Sequence, residues 1–185
     1  GNTDQFGPDD SDLFHVVPTD TQVNALRSNR YFDRSDPNDP SYVIPASPSA
    51  PQASYDSNSW QPAPDERGDI ARAMFYMDVR YNGTEAYTTD LELVAFAPSG
   101  AQMGHLNTLL LWHAEDPPDD SERARNDLIY ANYQGNRNPF IDHPEFVTAI
   151  WGTGLLGDPL NPPLARVEAV AATAAGRTLA KYPDP

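Results

Sequence analysis

Apolar positions along this chain come in short bursts separated by polar, proline-rich spacers, a pattern that predicts short elements joined by long loops. Asp12 to Val17 concentrates β-branched and aromatic residues between polar ends and reads as a strand closed by Pro18. Thr19 and Gln22 have the spacing of a capping box, so a helix is expected next. Val23 and Leu26 fall on its buried side, while Asn24, Arg27 and Ser28 share another face. Asp65 to Met77 is the most regular helical pattern. Ile70, Ala73, Met74 and Met77 form its apolar stripe, and Arg67, Asp69 and Arg72 are left for a site or for an internal Asp–Arg brace.

Further on, Leu91 to Phe96 fits a strand or a short helix equally. His105 to His113 reads as a helix, as does Ser121 to Gln134, whose polar residues (Glu122, Arg123, Arg125, Asn126, Asp127) predict a mostly solvated or salt-bridged face. Gly135 stands where a left-handed helix cap belongs. Phe140 and Ile141 form an apolar plug in a polar loop, and a last short helix is expected over residues 144–151. Residues 33–65, crowded with Pro, Ser, Asp and Asn, read as a surface excursion or mobile linker. Within it, residues 42–44 are a possible short strand and Tyr55 and Trp60 are anchors. The fold class predicted is α+β, mainly helical. Residues 1–151 form one domain, and 152–185 are a C-terminal extension or linker with a surface helix over 165–181.

Composition narrows the function classes. The chain has 185 residues, no cysteine and a net charge of -15. Disulfides and thiolate chemistry are therefore excluded. Lys181 is the only lysine, so nearly all positive charge is arginine. An acidic, lysine-poor surface suits saline surroundings and argues against holding nucleic acid through a general basic field. It leaves room for a few phosphates held by individually placed arginines. No run approaches a membrane span.

The candidate chemistry lies in Ser11 to Asn29. His15 comes from the expected strand, and Asn24 and Arg27 from the helix. An imidazole, an amide oxygen and a guanidinium converging on one spot suit a divalent cation and a phosphate. The same residues also fit a structural histidine and an exposed polar helix face. Asp10, in the leading loop, is a further candidate metal ligand.

Three stretches together resemble the endonuclease I family of extracellular and periplasmic nucleases. They are SDLFHVVPTDTQVNALRSNRYF (11–32), RGDIARAMFYM (67–77), and a tail running from Trp112 and His113 through Asp116, Glu122, Arg125 and Asn126 to QGNRNPFIDHPE (134–145). The resemblance implies a ββα-metal core in which two strands and a helix clamp one divalent cation, Mg²⁺ with Ca²⁺ or Mn²⁺ as alternatives. It places Asn24 as the metal-ligating asparagine, Arg27 as a phosphate-binding or supporting arginine and the second motif strand on Asp12 to Val17. His113 and His143 fall in motifs associated with packing, and His15 falls on the second strand.

The resemblance further implies a nonspecific, metal-dependent endonuclease acting on DNA, with RNA as a further substrate, secreted or periplasmic. The family's first motif strand carries a Glu-His pair, and no Glu or His precedes Ser11. The expectation is a fragment whose general-base strand belongs to an N-terminal segment of the same precursor, present as a separate chain. The alternative is a catalytically inactive nuclease fold serving as a structural or surface-interaction protein.

Overall fold

The computed structural model describes residues 7–84, 86–95, 98–100 and 102–152. The helix expected over 165–181, and all of the proposed extension except Gly152, lie outside them.

The first helix, α1 (Thr21–Arg27), is capped by Asp20, whose carboxylate accepts from the backbone N–H of Gln22 at 2.8 Å and of Val23 at 3.1 Å. The cap thus lies one residue beyond the expected Thr19, because a carboxylate supplies two lone pairs to two orphan donors. The strand expected over Asp12 to Val17 is absent. The Asp12 side chain takes the Phe14 N–H at 2.9 Å, and its carbonyl accepts from His15 N–H and Val16 N–H at 3.1 and 3.0 Å. This local closure turns the backbone over residues 13–15. Phe14 goes into the core while Val16 and Val17 stay exposed. β-Propensity without a partner strand loses to an Asx turn.

Five short strands form one sheet among the described residues. They are β1 (Tyr31–Phe32), β2 (Ser54–Tyr55), β3 (Ser59–Gln61), β4 (Glu92–Val94) and β5 (Gln102–His105), in the order β2-β3-β1-β5-β4. β1 runs parallel to both β3 and β5, β4 is parallel to β5, and β2 closes a hairpin on β3. The expected strand over 42–44 reduces to a single bridge, Val43 to Tyr55.

Residues 33–65 are not the loose excursion their composition predicts. Asp56 is buried and accepts from the backbone N–H of Asp36, Asn58 and Ser59 at 2.7, 3.0 and 2.7 Å, tying three turns to one carboxylate. Ala46, Ala53 and Trp60 form a second apolar cluster against which Val23 and Leu26 of α1 pack. Tyr55 stacks on Trp60 with centroids 6.1 Å apart, as anchors should. Small residues, prolines and short polar side chains satisfy close turns here, and the apolar few hold the turns down.

The larger core is helical. A single 3₁₀ turn, Pro64–Glu66, leads into α2 (Arg67–Arg80), which packs on α3 (Leu106–Glu115). Gly68 permits this approach. A Cβ there would lie 1.9 Å from the Asp116 carbonyl, and the Gly68 N–H donates to the Asp116 carboxylate at 2.8 Å. α4 (Asp120–Ile129) continues into a π-helical turn, Tyr130–Gln134, which Gly135 ends in the left-handed region at φ 71°. α5 (Pro139–Asp142) and α6 (Glu145–Trp151) close the body.

Phe75 of α2 sits at the centre, fully buried, 4.7 Å from the Trp151 ring and 6.0 Å from Phe140, so the predicted Phe140–Ile141 plug is core. The stripe on α2 is core as expected, Met74 and Met77 buried and Ile70 and Ala73 partly so.

The solvated face predicted for α4 is buried at two positions. Glu122 meets Arg72 at 2.7 Å, and Arg72, fully buried, also meets Asp69 at 2.9 Å and donates to the Asp116 carbonyl at 2.7 Å. The predicted Asp–Arg brace is therefore structural and larger than expected. Asn126 exchanges hydrogen bonds with the Asn138 backbone at 3.0 and 3.3 Å, and the Asn138 amide donates to the Arg72 carbonyl at 3.0 Å. Polar residues at helical spacing became interior because Glu122 finds the Arg72 guanidinium and Asn126 finds partners for both its amide oxygen and its amide nitrogen.

Candidate functional site

A groove of about 830 Å³ runs between the 14–20 loop, α1, and the start of α2. Its apolar floor includes Phe14, Phe32, Ile70, Ala73, Met74 and Ile141. His15, Asn24 and Arg27 all line it, so three of the four residues chosen from sequence share one cavity. The fourth, Asp10, does not. Its carboxylate accepts from the Gly7 N–H at 3.0 Å and closes the 3₁₀ turn Pro8–Ser11, away from the groove lining.

Each group is placed for a local reason. Asn24 lies on the outer side of α1 because Val23 and Leu26 take the buried side, and it is exposed. Arg27, at the last turn of the helix, lays its guanidinium over the Phe32 ring at 4.7 Å and donates to the Ser28 carbonyl at 3.1 Å. Its Nε is shielded and has no partner. Burial lowers the Arg27 pKa, yet a guanidinium starts so high that it keeps its charge at neutral pH. His15 projects from the turn at 13–15. Desolvation by the groove lowers its pKa from the ordinary 6.5, the Arg27 charge lowers it further, and Asp12, Asp9 and Asp10 oppose both. At neutral pH His15 is an uncharged imidazole with one donor and one acceptor nitrogen.

Two further contributions had no site role in the sequence reading, apart from Asp69, which was left for a site or a brace. Arg125 of α4 lines the groove and reaches back to the 13–16 turn, where its Nη2 donates to the carbonyls of Leu13 and, at 3.0 Å, of Val16. The contact spans more than a hundred residues, so the sequence showed Arg125 only as one residue of the tail that carries the family resemblance, on a helix face read as mostly solvated or salt-bridged. Asp65, Glu66, Asp69 and Glu122 also line the groove. Burial raises the pKa of Glu66 and Asp69, and that of Glu122 to about 7, so these three hold protons more tightly than free carboxylates. Two other histidines make contacts away from the groove. His113 Nε2 meets the Pro144 carbonyl at 3.1 Å with its ring edge-on to Phe75, and His143 pairs with Glu145 at 3.1 Å.

The described residues do not make a complete metal centre. No group of three or more His, Asp or Glu gathers to hold an ion among them. The nearest carboxylate along α1, Asp20, is engaged in its cap. Asn24 offers one neutral oxygen, where a hard cation takes about six ligands. The ββα arrangement is incomplete as well, since no strand precedes α1 among the described residues.

A mixed α/β body with an imidazole, an amide and guanidinium groups in one groove is suited to gripping phosphate esters. The chain belongs to the endonuclease I family, whose profile matches residues 2–145. It is 45% identical over 143 residues to a protein named extracellular ribonuclease from Bacillus amyloliquefaciens, and 46% identical over 143 residues to one of the same name from Bacillus subtilis (strain 168). Each alignment takes in 76% of this chain and 46% of the relative, so the matched part spans about half the length of those proteins. No solved structure gives a significant match. Among the described residues no helix is long and apolar enough to cross a membrane.

Proposed function

We propose that the parent protein is a secreted nuclease that hydrolyses phosphodiester bonds in DNA and RNA with little sequence preference, and that this chain carries the phosphate-gripping part of its site. The observation that carries the reading is the convergence of His15, Asn24 and Arg27 on one groove in a chain of this family. Secretion is supported by the names of the two relatives, both extracellular ribonucleases.

The chemistry follows from the groups. The Arg27 guanidinium, stiffened by its stack on Phe32, takes the non-bridging oxygens of a phosphate. Neutral His15 donates one N–H to a phosphate oxygen. Asn24, exposed at the groove and free of helix-capping duty, presents its oxygen as one ligand for a divalent cation, Mg²⁺ in the first instance. The general base and the remaining protein ligands come from polypeptide outside these 185 residues, a separate N-terminal piece of the same precursor. The relatives' greater length leaves room for further polypeptide beside the matched half, and the apolar floor of the groove offers such a segment a surface to cover.

The test compares the product of the complete gene with the 185-residue chain on plasmid DNA and on single-stranded RNA, with Mg²⁺ and with EDTA. The expected outcome is digestion of both substrates by the complete product with Mg²⁺ and none by the chain alone. A chain that digests DNA unaided makes His15 the base, which His15→Ala then checks. A complete product inert on both substrates under every condition overturns the reading in favour of a scaffold.

A further inference from the structure

The segment that carries His15 has no ladder of backbone hydrogen bonds to hold it, since residues 12–20 are turn and loop. Side chains from distant elements hold it instead. At its start, Asp12 is pinned in the core by the hydroxyls of Tyr76 and Tyr81, at 2.8 and 2.7 Å. Gln134 accepts from the Leu13 N–H and donates to Asp12 at 3.2 Å. After His15 these anchors stop, and Val16 and Val17 are 44% and 58% exposed. The next side-chain bond on the C-terminal flank of His15 is the one from Arg125 to the Val16 carbonyl, 3.0 Å long and 109 residues away in sequence. The same nitrogen also donates to the carbonyl of Leu13. One guanidinium nitrogen therefore bridges the two sides of the turn from which the imidazole projects.

We propose that Arg125 is the positioning residue for His15, closing the 13–16 turn from α4 so that the imidazole is held in the groove. The inference rests on the groove being the substrate site. An arginine suits the task because its charged donors are strong and its planar fork loses little freedom on binding two carbonyls. A helix suits it as the origin, because α4 is itself locked through Glu122 on Arg72 and Asn126 on Asn138. Asp12 and Gln134 set where the turn begins, and Arg125 sets how far it closes.

The experiment uses the complete gene product labelled with ¹³Cε1-histidine, with the His15 signal assigned by His15→Gln. In Arg125→Met, the His15 signal should shift and broaden while those of His113 and His143 stay in place. In the same variant kcat should fall roughly tenfold to a hundredfold with KM within about twofold, the signature of a misplaced group. Arg125→Lys, which still donates to a carbonyl, should restore most of both. If Arg125→Met does not fold, Arg125→Gln replaces it, with a smaller shift of the same signal expected. An unmoved His15 signal overturns the inference, and with a raised KM it assigns Arg125 to substrate phosphate instead. Movement of the His113 and His143 signals together with that of His15 also overturns it, in favour of a general role in stability. A wild-type product without nuclease activity removes the proposed function, while the histidine signals still decide whether Arg125 holds the turn.

Discussion

The carboxylate of Asp12 accepts the hydroxyl of Tyr76 at 2.8 Å across 64 residues of chain, and the hydroxyl of Tyr81 meets the same oxygen at 2.7 Å. Asp12 also takes the Phe14 N–H, so one buried carboxylate joins the N-terminal turn to α2. Asp12→Ala leaves two buried hydroxyls without an acceptor and should cost about 3 kcal/mol. That corresponds to a fall in Tm of roughly 6–12 °C for a domain of this size. Asp12→Asn keeps one acceptor and should cost about half as much. Thermal melts of the two variants beside Tyr76→Phe check the order. Equal, small losses in all three would remove the network from the account of stability.

Arg72 holds two carboxylates inside the protein, Glu122 at 2.7 Å and Asp69 at 2.9 Å. Arg72→Met strands Glu122 beside apolar atoms and should cost about 3–5 kcal/mol, whereas Arg72→Met with Glu122→Leu should cost clearly less than the sum of the single changes. A double-mutant cycle by urea unfolding measures the coupling. Additive losses would mean that the pair does not act as a unit.

Asp78 accepts from the Leu93 N–H at 2.8 Å, yet burial, with Glu92 and Asp90 nearby, pushes its pKa up to about 7. Because the folded value lies above the unfolded one, folding takes up a proton between about pH 4 and 7. The corresponding stability is fully present below the unfolded pKa and is lost as pH rises through about 7. Asp78→Asn should therefore raise stability by about 1–2 kcal/mol at pH 8 and change little at pH 3.5. A Tm–pH series on both proteins tests this. A variant less stable at pH 8 would show that the carboxylate's bond to Leu93 outweighs its burial.

Asn24 is exposed and makes no cap of its own helix, so Asn24→Ala should leave the melting temperature within about 1 °C, as surface changes usually do. In the complete gene product the same change should lower kcat/KM by roughly a hundredfold, as loss of a metal-site group does. A variant with unchanged turnover would take Asn24 out of the site.

A net charge of -15 sets the last expectation. Screening relieves self-repulsion, so Tm should rise from 0.1 M to 2 M NaCl. Chloride is the informative salt, because sulfate stabilises nearly any protein by exclusion. A flat or falling Tm over that range would refute adaptation to saline surroundings.

What the chain determined by itself is local. The apolar stripe of α2, the helix over Leu106–Glu115, the left-handed cap at Gly135 and the start of α1 within one residue are set by periodicity and capping, which act over a few positions. The choice of His15, Asn24 and Arg27 was legible for the same reason, since an imidazole, an amide and a guanidinium lie within thirteen consecutive residues. Tertiary structure decided the rest. Whether Asp12 to Val17 became strand or turn depended on Tyr76, Tyr81, Gln134 and Arg125, which no local pattern connects to it. Whether Glu122 and Asn126 met water or the core depended on Arg72 and Asn138 arriving with matching donors and acceptors. Residues 33–65 became a packed unit because Trp60 and α1 gave their turns something to lie against. Burial of a polar group is decided by its partners, and those partners are brought together only when the chain folds.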